Sequence, residues 1–137
     1  FGMYPKVYTW IENTKRFAIE HGYTETLYGR RRHLPDIKSP DDFIREAAIR
    51  RAVNTPIQSS ANDIAFMALI RMNKYIKEHG LGAKIILVVH DEIIIETPEH
   101  EVDIVQSKLV EFMTKDIPKM DKVPLVADPS VLDRWEK

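Results

Sequence analysis

Residues 88–95 read VVHDEIII, and this stretch limits the available folds more than any other. Two branched-aliphatic runs, Ile85-Ile86-Leu87-Val88-Val89 and Ile93-Ile94-Ile95, enclose His90, Asp91 and Glu92. In a half-buried strand alternate side chains face the core, so three successive ionisable residues must turn one inward. A buried, unpaired charge is expensive. The pattern therefore predicts a tight turn at 90–92 between strands over 83–89 and 93–97. The apolar runs pair, and the carboxylates stand at the rim of the sheet.

Such a tip fits two readings. One is a charged, solvated hairpin end. The other is part of a hard-cation site, since Mg²⁺ takes oxygen ligands, often one or two carboxylates plus substrate phosphates. A two-metal site needs a further carboxylate from elsewhere.

The flanking sequence predicts an α+β chain. Pro5 opens a helix that His21-Gly22 closes. Residues 23–28 and the segment after Gly29 form a short hairpin or strand–turn unit. Ser39-Pro40-Asp41-Asp42 supplies capping chemistry for a helix over about 42–54. Pro56 then predicts a break or kink, with a second helix over 58–78. After the strand pair come a helix over 99–113, with Val102, Val105, Leu109 and Phe112 on one stripe, and a final strand over 123–127. Met67, Met72 and Met113 read as core fillers. His21, His33, His79 and His100 lack zinc-ligand spacing and read as surface or capping residues.

The formal net charge is −1 across 137 residues, but it is unevenly spread. Residues 1–84 carry 14 Lys and Arg against 9 Asp and Glu, a surplus of five positive charges; residues 85–137 carry 6 against 12, a deficit of six. A basic first part suits a polyanion and an acidic second part suits cations; an ordinary mixed surface fits as well. With no cysteine there is no disulfide framework and no thiolate chemistry. No apolar run is long enough to span a bilayer, and no signal-peptide pattern opens the chain.

IRRAVNTPIQSSANDI, residues 49–64, is the second unusual stretch. Arg50, Asn54 and Gln58 recur every four residues, which aligns N–H donors in a drifting row on a helix. A minor groove offers acceptors at every base pair, so such a row can feel a duplex without reading its sequence. Arg30-Arg31-Arg32 adds phosphate-binding capacity. A solvated polar helix face and a surface turn account for the same residues.

Tyr4-Pro5, GYTETLYGRRRHLPDI (22–37), RRAVNTPIQSSANDI (50–64), VVHDEIIIETP (88–98), VPL (123–125) and Trp135, taken in order, resemble the C-terminal polymerase region of family A DNA polymerases. The resemblance covers nearly the whole chain. It implies the C-terminal part of a right-hand polymerase domain, with an antiparallel palm hairpin flanked by helices. Residues 1–80 then form mainly helical late fingers and palm with DNA contacts, and 81–137 the palm hairpin, a helix and a final strand.

By the same resemblance Asp91 is the catalytic metal ligand and Glu92 a secondary catalytic and metal-binding carboxylate. His90 lies near the primer terminus, Arg50, Asn54 and Gln58 contact the template–primer minor groove, and Arg30 and Arg31 match paired arginines. The implied chemistry is template-directed deoxynucleotidyl transfer with two Mg²⁺ ions, Mn²⁺ being a substitute, on primer-template DNA and deoxynucleoside triphosphates. The implied location is cytoplasmic with the nucleoid, or an organelle interior, with no membrane and no secretion. Ser59 stands where the family usually has glycine, and DPSVLDRWEK lacks the usual glycine before its tryptophan.

The family's first catalytic aspartate and nucleotide-binding helix lie upstream of every motif here. The expectation is a chain inactive alone, completed by an upstream segment that is covalent or a split partner. Apolar palm surface predicts self-association. The alternatives are a non-catalytic DNA-binding or assembly module and, more distantly, a metal-dependent hydrolase using the same hairpin.

Overall fold

The computed structural model describes residues 2–136, and its elements are mixed helices and short antiparallel pairs, as the α+β expectation requires. They fall into two compact units, one up to Ser60 and one from Ala61 on. Among the described residues no helix is long and apolar enough to cross a membrane.

In the first unit α1 spans Pro5–His21 with proline in its first turn. Gly22 ends it in the left-handed region (φ 77°), donating its N–H to the Ala18 carbonyl at 2.8 Å. That conformation costs glycine no Cβ clash. β1 (Tyr23–Glu25) and β2 (Arg31–His33) follow as an antiparallel hairpin pairing Tyr23 with His33 and Glu25 with Arg31. A single-turn 3₁₀ helix, Pro35–Lys38, leads to α2. Ala18, Leu34, Ile37, Ala48 and Ala52 form the core. Three of these five are alanines, so α1, the hairpin exit and α2 pack at close range. Burying Leu34 and Ile37 contributes roughly 1.5–3 kcal/mol each.

α2 is a single helix, Asp42–Glu78, with Pro56 inside it; the expected break into two helices does not occur. Proline removes the N–H that Ala52 would receive in a regular turn, at a usual cost of about 3 kcal/mol. Here the Thr24 hydroxyl on β1 donates to the Ala52 carbonyl at 3.1 Å, in buried surroundings. One turn on, the Ser60 hydroxyl donates to the Pro56 carbonyl and accepts the Leu27 N–H at 2.8 Å. The hairpin thus supplies from outside what the helix lacks inside.

In the second unit β3 (Lys84–Val89) and β4 (Glu92–Glu96) pair antiparallel. The register shifts between Ile85 and Leu87, leaving Ile86 as an extra residue in a bulge. A 3₁₀ turn (Glu99–Glu101) enters α3 (Val102–Thr114). Met72, Ile76, Ala83 and Val105 form the core, with Tyr75, Leu81, Ile85, Ile95, Leu109 and Phe112 packed against it. Met72 is fully buried, as a core filler should be, and Val105, Leu109 and Phe112 of the expected stripe face this core. Arg71 lies over the Phe112 ring (4.6 Å) and donates to the Lys115 carbonyl at 2.9 Å, a cation at the negative end of α3.

Residues 123–127 form no strand. An extended segment becomes a strand only by backbone pairing, and among the described residues none pairs with it.

Candidate functional site

The β3–β4 turn consists of two residues, His90 and Asp91. Glu92 is not in the turn: it is the first residue of β4, opposite Val89. The turn is shorter than expected because Val89 and Glu92 already complete the ladder. His90 takes φ 56° and Asp91 stays out of the positive region, the sign pattern of a type II′ hairpin turn. Glycine is the favoured residue at that position, so histidine there carries backbone strain of roughly 1–2 kcal/mol.

His90, Asp91 and Glu92 are all exposed. Among the described residues neither carboxylate enters an ion pair or a side-chain hydrogen bond, so both have free lone pairs. Among the same residues no third His, Cys, Asp or Glu joins them in a metal-sized group. Two hard carboxylates, one in the turn and one at the start of β4, fit part of a Mg²⁺ donor set, with substrate oxygens and water filling the remainder.

Below this tip the hairpin is fixed by a residue with no obvious motif. Glu101 is buried, and its two carboxylate oxygens accept the backbone N–H groups of Gly82 (2.8 Å) and Ala83 (3.0 Å). A Cβ on Gly82 would lie 3.0 Å from Pro98 Cγ and 3.6 Å from Glu101 Oε1, so glycine keeps this approach open. The clamp joins positions 19 residues apart. Its one local signal is an acid at the start of an otherwise apolar helix stripe.

On the first unit, Arg50, Asn54 and Gln58 are exposed on α2 at successive four-residue steps. Continuity through Pro56 keeps them in one row, advancing about 6 Å and drifting about 40° per step. Their side chains engage no described residue. Arg30 and Arg31 diverge: the Arg30 guanidinium donates to the Ser59 carbonyl at 3.4 Å, whereas Arg31 pairs with Glu25 at 2.9 Å and lies 4.5 Å over the Tyr23 ring. Arg32, given no separate role by sequence, donates to Thr55 Oγ1 at 3.2 Å. Gly29, at φ 83°, turns the chain so that Arg30 returns toward α2.

The family model for DNA polymerase family A matches residues 1–137. The chain belongs to DNA polymerase family A. It is 44% identical over 128 residues (93% of its length) to DNA polymerase I of Caldicellulosiruptor bescii, and 39% identical over its whole length to DNA polymerase I of Pseudomonas aeruginosa. It spans about 15% of the length of each of these relatives. Among solved structures, the polymerase domain of Pol1 from M. smegmatis, in complex with DNA primer-template and dNTP, superposes with a TM-score of 0.74 at 40% identity. That match covers 80% of this chain and 19% of that one. The polymerase resemblance read from the quoted motifs is therefore correct at family level.

Proposed function

We propose that this chain is the C-terminal portion of a DNA-directed DNA polymerase, contributing one side of a nucleotidyl-transfer site and part of the primer-template contact. The observation that carries this reading is the Asp91 carboxylate, unpartnered and exposed on a two-residue turn between two apolar strands. A solvated tip needs no strained His90 before it.

In this reading Asp91, assisted by Glu92, holds the divalent ions, Mg²⁺ with Mn²⁺ as a substitute. Bound there, such ions stabilise charge on the attacking and leaving oxygens of a phosphoryl displacement. His90 meets the primer terminus. Arg50, Asn54 and Gln58 donate to minor-groove acceptors of the primer-template, and Arg30 and Arg31 bind near it. The M. smegmatis neighbour was solved with primer-template and dNTP, which supports these ligand classes.

Residues 1–80 serve as late fingers and palm, and 81–137 as palm. An upstream segment, covalent or separate, supplies the first catalytic aspartate and the nucleotide-binding helix. Without it the chain is inactive and self-associates through exposed apolar residues such as Ile86, 56% accessible. The setting is intracellular.

Primer extension with Mg²⁺ and all four deoxynucleotides, with and without the upstream segment, tests the proposal. Extension only with that segment supports it, and robust extension by the lone chain sinks it.

A further inference from the structure

Glu101 stands at the entrance of α3, yet its side chain caps nothing in that helix. An acid at a helix entrance ordinarily accepts the helix's own first N–H groups. Glu101 instead reaches back to Gly82 and Ala83, the two residues that lead into β3, and accepts both of their N–H groups. Ala83 and Glu101 are both buried. The start of β3 is thus pinned to the entrance of α3.

That pin bears on the Ile86 bulge. Before the bulge Ile85 pairs with Ile95, and after it Val88 pairs with Ile93. Paired residues share a face, and so do Ile93 and Ile95, two apart on β4. Ile85 and Val88 therefore face the same side although they are three apart, which only an extra residue allows. Ile86 and Leu87 are left exposed.

The bulge also fixes the turn. With Val89 opposite Glu92, two residues remain, His90 and Asp91. If the Ile85–Ile95 register ran on without a bulge, Val88 would meet Glu92. Val89, His90 and Asp91 would then form a three-residue loop with Asp91 in its third place. Such loops give that place to a left-handed residue, whereas Asp91 here stays out of the positive region.

We propose that Glu101 is a positioning residue for nucleotidyl transfer: its clamp on Gly82 and Ala83 holds the Ile86 bulge in register, and the bulge presents Asp91 from a two-residue turn. This rests on the metal-holding reading of Asp91. Clamp and turn lie at opposite ends of β3, about 20 Å apart along the strand, and Glu101 acts only through the backbone between them. Among the described residues β3 and β4 pair only with each other, so no third strand fixes the register.

The test is single-turnover primer extension by the polymerase completed with its upstream segment. E101Q keeps the shape of the side chain but turns an NH₂ donor toward one of the two N–H groups. Its rate per active site is expected to fall roughly 10- to 100-fold. The Mg²⁺ concentration for half-maximal rate should rise, and primer-template affinity should hold. In E101Q/L87C/I94C a disulfide across the Leu87–Ile94 pair locks the register without the clamp; it should restore the rate when oxidised and lose it on reduction. Deleting Ile86, which leaves the clamp intact, should slow extension at least as much as E101Q.

A Glu101 that serves stability alone would lower the fraction of active enzyme and leave the rate per active site unchanged; that result overturns the proposal. So does a slow E101Q that the oxidised cross-link fails to restore, or a full rate after deletion of Ile86. Full activity in D91N overturns the reading of Asp91 instead, whatever E101Q does.

Discussion

The Thr24 hydroxyl sits 3.1 Å from the Ala52 carbonyl, the one carbonyl of α2 that Pro56 deprives of its helical donor. A side chain on a strand thereby completes the backbone of a helix 28 residues away. Arg50, Asn54 and Gln58 straddle that proline on the continuous helix.

Replacing Thr24 with valine removes the donor while keeping the shape. A buried carbonyl left unsatisfied costs about 1–3 kcal/mol, so T24V should lower the urea midpoint by a corresponding amount. P56A restores an N–H at the same place, and the double variant T24V/P56A should recover most of the loss. Equal losses in the two T24V backgrounds would exclude the carbonyl as the cause.

Glu101→Ala should destabilise the second unit by about 2–3 kcal/mol, since two backbone N–H groups lose a charged acceptor. Hydrogen exchange at Gly82 and Ala83 should rise by a larger factor than exchange in α1. Uniform acceleration across the chain would argue against a local clamp.

His90→Gly relieves the positive φ. The expected gain is about 1 kcal/mol of hairpin stability, read from the thermal midpoint of the second unit. If histidine at this place serves the primer end, the same variant in the completed enzyme should extend primers more slowly despite its greater stability.

Asp91→Asn should leave the circular dichroism spectrum and melting temperature unchanged, because the carboxylate contacts no described residue. In the enzyme completed with its upstream segment, it should reduce primer extension by about 10³-fold or more, a loss of several kcal/mol of charge stabilisation. Primer-template binding should persist. Unchanged synthesis would favour the assembly-module reading.

Much of this protein was legible in its sequence. A run of aliphatics interrupted by HDE admits little except a hairpin that turns within it, because burying those charges costs more than any strand pairing returns; that Glu92 belongs to β4 and not to the turn was not legible. Pro5, Gly22 and the Ser39–Asp42 segment mark helix ends through local steric and hydrogen-bonding rules, and the order of motifs carried the polymerase family.

What the sequence misjudged was long-range. Pro56 reads as a helix break because local rules see only the missing N–H; Thr24 mends it from another element. Residues 123–127 read as a strand because their pattern fits one, but a strand exists only beside a partner backbone. RRR reads as one basic cluster; the two faces of β2 send Arg31 to Glu25 and Arg32 to α2. Sequence determined which groups this chain possesses and where its backbone bends. Tertiary structure decided which are satisfied and which remain available, because hydrogen bonds between residues far apart in the chain leave no periodic trace along it.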